Sequence, residues 1–284
     1  MAHNLPSMNG IQGQAELTLR HGGPWVERMA RIGYAAKGVI YMIVGVLAVE
    51  EAFNAGGKTT NAQGALTTIL HQPFGQFLLA LVGVGLAAYA LWCFVEAGLD
   101  VDAEGSDARG MATRIGYCLS GIGYGILAYT ALTLVSGAVG SANGNNSMQD
   151  WTARLLAVPF GQVLVGLIGL CIIGLGLAQI ARGYNADFSK QLDLGAVPQP
   201  YRDWAITSGR WGYAARGVVF AIIGGFFLEA ALHANARQAK GLGSALDLLA
   251  QQPYGPWLLV IIAAGLVAYG IFMLVEARYR RIRI

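Results

Sequence analysis

Six stretches of this chain are apolar almost without interruption, at residues 35–53, 77–97, 116–139, 163–181, 213–232 and 257–277. Each is near the roughly 20 residues that a helix needs to cross a hydrocarbon layer about 30 Å thick. Alternation of apolar and polar residues at period two is absent, which excludes a membrane β-barrel. Polar residues collect between the runs. The pattern therefore predicts six transmembrane helices.

The runs come in pairs, and each pair is written in the same phrases. Arg31-Ile32-Gly33-Tyr34, Arg114-Ile115-Gly116-Tyr117 and Arg210-Trp211-Gly212-Tyr213 open the first run of each pair. Pro73-Phe74-Gly75, Pro159-Phe160-Gly161 and Pro253-Tyr254-Gly255 precede the second. The chain is one unit repeated three times. Each unit crosses twice, so the next starts on the same side and the repeats are parallel. The predicted fold is an all-α membrane protein with three parallel two-helix repeats in a pseudo-threefold arrangement. Between the two runs, apolar residues recur at helical spacing: Leu66, Ile69 and Leu70, then Leu155, Leu156 and Val158, then Leu246, Leu249 and Ala250. These predict short amphipathic helices on the outer face. Each proline should stop that short helix and begin the first turn of the next span.

The expected organisation is a flexible cytoplasmic arm over 1–28, repeat 1 over 29–98 and a linker over 99–112. Repeat 2 follows over 113–183, a second linker over 184–208, and repeat 3 over 209–284 with a basic C-terminal tail. Trp25, Trp204 and Trp211 on one side and Trp151 and Trp257 on the other are expected at the two interfaces, with Tyr34, Tyr117 and Tyr213 serving likewise. Glycine, 40 residues of 284, is concentrated in the spans, where small residues let helices approach closely.

Composition supports the membrane class. Hydrophobic residues make up 55% and charged residues 12%, about half the charged share of an ordinary soluble domain. Placing the N-terminus in the cytoplasm leaves only Lys58, Arg154, Arg237 and Lys240 outside among 19 lysines and arginines. Both termini are thus expected to be cytoplasmic. The net charge of +3 then follows from topology and gives no hint of nucleic-acid binding. Cys93, Cys118 and Cys171 all lie in apolar runs, against a disulfide framework.

Charges inside spans are the first candidates for function. Lys37 and Glu96 fall at similar depth in repeat 1, and Arg216 and Glu276 hold the same positions in repeat 3. Repeat 2 has Ser120 and Arg182 there, losing both together. This predicts two structural ion pairs, Lys37 with Glu96 and Arg216 with Glu276. Arg31, Arg114 and Arg210 occur in every repeat and are candidates for lipid phosphates or helix C-terminal carbonyls. Deeper, Glu50, Thr133 and Glu229 are equivalent and could bind a proton or cation near the pseudo-threefold axis, or reach the outer interface. No metal-ligand spacing, phosphate loop or nucleophile motif is present, so neither cofactor nor catalytic residue is assigned. Asp100, Asp102, Glu104 and Asp107 read as a solvated acidic linker.

With these phrases and the Gly38, Gly121 and Gly217 that follow the first of them, the chain resembles a bacterial membrane family known as domain of unknown function number 1206. The resemblance covers about residues 28–280. It implies six helices and a bacterial inner-membrane location, and carries no activity. The expectation is a non-enzymatic six-helix protein acting as scaffold, lipid-binding element or accessory subunit, in contact with membrane lipids and open to a protein partner, of undetermined oligomeric state. The alternative is a small proton- or cation-coupled transporter or channel using Glu50 and Glu229.

Overall fold

A computed structural model describes residues 8–53, 57–99, 108–137, 144–193 and 195–281. In chain order its α-helices are α1 (Met8–Ala52), α2 (Ala62–Leu70), α3 (Gly75–Leu99), α4 (Ala108–Val135), α5 (Gly144–Leu156), α6 (Gly161–Asn185), α7 (Gln199–Leu232), α8 (Leu242–Ala250) and α9 (Gly255–Tyr279). Six of them contain stretches long and apolar enough to cross a membrane: Trp25–Ala52, Gly75–Gly98, Thr113–Val135, Gly161–Asn185, Gln199–Leu232 and Gly255–Tyr279. The chain is an all-α, multi-pass membrane protein. Helix α1 already runs from Met8, inside the segment read from sequence as an arm. The acidic residues 100, 102, 104 and 107 lie outside the described residues.

The six long helices form an incomplete ring. The most extensive packing joins neighbouring repeats: α6 on α7, α9 back on α1, and α3 on α4. Within repeats, α1 packs on α3 and α7 on α9, whereas α4 and α6 scarcely touch among the described residues. The ring order is therefore α4–α3–α1–α9–α7–α6, with an opening between its ends. Burial reports the same opening. In the most apolar stretch of each span, 44–56% is buried for α1, α3, α7 and α9, but 22% for α4 and 17% for α6.

Small residues explain where the hairpins close. A Cβ added to Gly33 would fall 2.6 Å from the Tyr89 Cα, and one added to Gly212 would fall 2.5 Å from the Tyr269 Cα. Gly116, the repeat-2 equivalent, has nothing within 4 Å. Gly85 likewise admits Ala36, and Gly265 admits Ala215. Repeat 2 has Cys171 and Leu119 at those positions, and both are exposed. Larger side chains at this crossing hold α4 and α6 apart, because a close helix crossing in lipid depends on small residues.

The outer helices sit as the periodicity predicts in repeats 1 and 3. Leu66 and Ile69 of α2 and Leu246 of α8 are buried. Asn61 caps α2, its side chain accepting from the Gly64 amide at 2.9 Å. In repeat 2, Val158 lies beyond α5 and is exposed. The prolines do not start the next spans. Each occupies a turn in which the following aromatic adopts a left-handed conformation: Phe74 at φ 59°, Phe160 at 62° and Tyr254 at 63°. The glycine after it begins the helix, and an added Cβ would meet a carbonyl oxygen of the preceding short helix at 2.2, 2.0 and 1.9 Å. The motif is a steric corner common to all three repeats.

Candidate functional site

The inner half of the ring gathers most of the buried charge. Lys37 Nζ donates to the Tyr89 hydroxyl at 2.8 Å, and Arg216 Nη1 donates to the Tyr269 hydroxyl at 2.7 Å. These bonds occupy equivalent positions in repeats 1 and 3. Lys37 Nζ also lies 4.6 Å from the Tyr89 ring centre, 5.4 Å from that of Tyr124 and 5.6 Å from that of Tyr269. The Arg216 guanidinium lies 5.5 Å from the Tyr41 ring centre and 5.0 Å from that of Tyr269. Edge-to-face contacts tie the rings together, Tyr89 to Tyr124 at 4.7 Å and Tyr41 to Tyr269 at 4.9 Å. Residues of α1, α3, α4, α7 and α9 thus surround two cations with phenols.

This arrangement replaces the two ion pairs expected from depth alone. Among the described residues neither Lys37 nor Arg216 hydrogen-bonds a carboxylate. Glu96 is engaged by Arg280, whose Nη2 lies 2.6 Å from Glu96 Oε1, and whose Nη1 lies 3.9 Å from Glu276 Oε1. Arg280 also donates to the Tyr34 hydroxyl, which accepts from Trp92 Nε1 at 3.2 Å. The Arg280, Glu96 and Glu276 side chains are at most 4% exposed. Shared depth did not fix the partners, because helix rotation and a returning tail decide which groups meet. The signal for the true partner was in the repeat: Leu175 stands in repeat 2 where Tyr89 and Tyr269 stand in the others, so tyrosine and cation are lost together there.

Arg280 belongs to the segment read as a basic C-terminal tail. The tail folds back on the linker between repeats 2 and 3. Leu192 and Arg280 form an antiparallel bridge, Asp193 N donates to Tyr279 O at 2.8 Å, and Arg281 N donates to Gln191 O at 2.9 Å. Arg281 lies 3.2 Å from Asp193 Oδ1, and that hydrogen bond holds the Asp193 carboxyl below its ordinary range. A single turn in the same linker carries Phe188 under the bundle, stacked on Tyr213 at 5.3 Å and edge-on to Phe272 at 4.8 Å. Tyr34 and Tyr213 are accordingly buried, which corrects the interfacial role expected for them. Trp25, Trp151, Trp204, Trp211 and Trp257 are exposed.

Two of the three repeated arginines cap helix ends. Arg31 donates to Ala277 O at 2.9 Å and to Arg278 O at the end of α9, and pairs with Glu27 at 2.7 Å. Arg114 donates to Ala97 O at 2.7 Å and Gly98 O at 3.1 Å at the end of α3. Arg31 thereby meets the negative end of repeat 3's second helix, and Arg114 that of repeat 1's. Arg210 is exposed.

Among the described residues no hydrogen bond or ion pair joins Glu50, Thr133 and Glu229. Glu50 and Glu229 are exposed, near the ends of α1 and α7 at Ala52 and Leu232. Thr133 donates to Tyr129 O and Thr130 O of its own helix, both at 3.0 Å. Among the described residues no group of three or more His, Cys, Asp or Glu is placed to hold a metal ion.

Comparison with known proteins agrees with the threefold architecture. The family described as Domain of Unknown Function (DUF1206) matches three times, over residues 32–100, 115–186 and 211–280. The chain is 36% identical over 257 residues to "Uncharacterized protein YxxB" of Bacillus subtilis (strain 168), covering 90% of this chain and 92% of that protein. No solved structure matches. The chain belongs to the DUF1206 family.

Proposed function

We propose that this DUF1206 chain is a non-enzymatic protein of the bacterial inner membrane, working as a scaffold or accessory subunit that holds lipid or a partner against its open flank. The observation that carries this reading is the separation of α4 from α6, which among the described residues leaves each of these apolar spans packed on one long helix only, α4 on α3 and α6 on α7. Leu119 of α4 and Leu175 of α6 are exposed where the equivalent Ala36 and Tyr89 of repeat 1 are buried. Contiguous apolar surface on this scale is covered by lipid or by another membrane protein. Both termini are cytoplasmic in this reading, from the excess of lysine and arginine on that side. Arg210 then lies at headgroup level, where a lipid phosphate is its natural counter-ion.

The rival reading is a transporter using Glu50 and Glu229, which are exposed near the ends of α1 and α7. Proteoliposome flux separates the two. The scaffold reading expects no proton or cation flux above that of empty vesicles. Flux abolished by Glu50→Gln or Glu229→Gln would contradict it.

A further inference from the structure

The two cations inside the ring carry more hydrogen-bond donors than the protein gives them acceptors. Lys37 is 5% exposed, and its ammonium, with three donors, has one hydrogen bond, to Tyr89. Arg216 donates Nη1 to Tyr269, while its Nε is shut off from solvent with no partner. Tyr89 and Tyr269 accept these bonds; the Tyr89 hydroxyl also bonds the Cys93 thiol, while that of Tyr269 keeps its hydrogen to give. Both cations lie against the one Tyr269 ring; among the described residues neither hydrogen-bonds a carboxylate, and Glu276, whose charge reaches Lys37, lies beside Arg280. Two like charges brought together away from water raise each other's cost, and aromatic faces offset only part of it.

Five of the six long helices supply the cluster, and the missing wall is α6, beside the opening to α4. Ser120 takes the cation's position in repeat 2 and is partly exposed, and Arg182 stands there in place of the carboxylate of the other repeats, so that corner carries no negative side chain at these positions. The geometry points to a binding site for one small anion, a halide or an oxyanion, held between Lys37 and Arg216 and reached from the side of repeat 2. The anion comes either free from the cytoplasmic water or as the phosphate of a lipid seated in the opening. An oxyanion suits the arginine fork, and the Tyr269 hydroxyl completes its donors. The inference goes beyond the scaffold reading and does not depend on it.

Thermal unfolding of the full chain in phosphatidylcholine nanodiscs tests it. Chloride, bromide or phosphate replaces gluconate at constant ionic strength, beside a series in phosphatidylglycerol discs. A ligand of the folded state raises the midpoint in a saturable way. The expected result is a saturable rise of a few degrees with at least one of these anions, absent from the Lys37→Met/Arg216→Met double variant. If phosphatidylglycerol discs show that rise already in gluconate and added anions give no more, the lipid phosphate is the ligand. No saturable shift in either lipid, or an equal shift in the double variant, overturns the proposal. Should the variant not fold, bromide NMR line broadening on the wild-type chain decides. Excess broadening displaced by phosphate, or suppressed in phosphatidylglycerol discs, supports the site, and its absence in both lipids overturns it.

Discussion

Repeats 1 and 3 close their hairpins; repeat 2 does not, though all three share the same corner and the same opening phrase. In the closed repeats a glycine meets a tyrosine backbone, an alanine fits against a second glycine, and a cation bonds that tyrosine's hydroxyl. Repeat 2 changes every partner at once, with Leu119 for the alanine, Cys171 for the glycine, Leu175 for the tyrosine and Ser120 for the cation. Shared motifs thus set how the chain turns and how repeats join, while the varied positions decide whether a hairpin packs on itself. The difference teaches that internal symmetry here is a scaffold on which one repeat is left open.

The comparison can be broken most severely at the inner face. Arg280 joins α9 to Tyr34 of α1 and Glu96 of α3, so it fastens closed repeat 3 to closed repeat 1. Arg280→Met leaves buried carboxylates without their cation and should cost about 3–5 kcal/mol, read from denaturant unfolding in detergent. A loss below about 1 kcal/mol would show the cluster is not structural.

Next come the glycines. Gly212→Ala should destabilise by about 1–3 kcal/mol through overpacking, whereas Gly116→Ala should be neutral or gain up to about 1 kcal/mol from helix propensity. Equal losses at the two positions would mean that repeat 2 is closed after all. At the corner the repeats are alike, so Gly161→Ala should be as damaging as Gly255→Ala.

A smaller effect sharpens the partner assignment. In a double-mutant cycle, Lys37→Met and Tyr89→Phe should couple by about 0.5–1.5 kcal/mol, while Lys37→Met and Glu96→Gln should be nearly additive. The reverse pattern would restore the lysine–glutamate pair. The smallest effect concerns the latch of the tail. The Asp193 carboxyl titrates below its ordinary value of 3.8, so its contribution is present above that value and lost as pH falls through the lower folded value. Hydrogen exchange at the Arg281 amide should therefore speed up only below about pH 4, and an onset near neutrality would contradict the assignment.

Much of the fold was legible in the sequence, because apolar runs, a repeated phrase and helix-breaking prolines are local signals. The six spans, the three parallel repeats and the buried outer-helix residues Leu66, Ile69 and Leu246 all came from periodicity. The site was half legible. Lys37, Glu96, Arg216 and Glu276 were singled out as charges within the spans, and the structure buries Lys37, Glu96 and Glu276 and half-buries Arg216, but their partners depend on helix rotation, which depth does not encode. Tyr34 and Tyr213 resemble interfacial anchors until a linker phenylalanine and a returning tail cover them. Arg280 was invisible for the same reason, since nothing local says that a basic tail turns inward.

The central claim is that α4 and α6 stand apart, and native Cys171 gives direct access to it. Leu119→Cys, in a chain with Cys118→Ala, places a thiol where the closed repeats bring Ala36 onto Gly85 and Ala215 onto Gly265. A disulfide requires Cα atoms within about 7 Å. Under mild oxidation in native membranes the account predicts that both thiols stay free and each reacts with a lipid-soluble maleimide. Rapid, near-complete disulfide formation between residues 119 and 171 would contradict it.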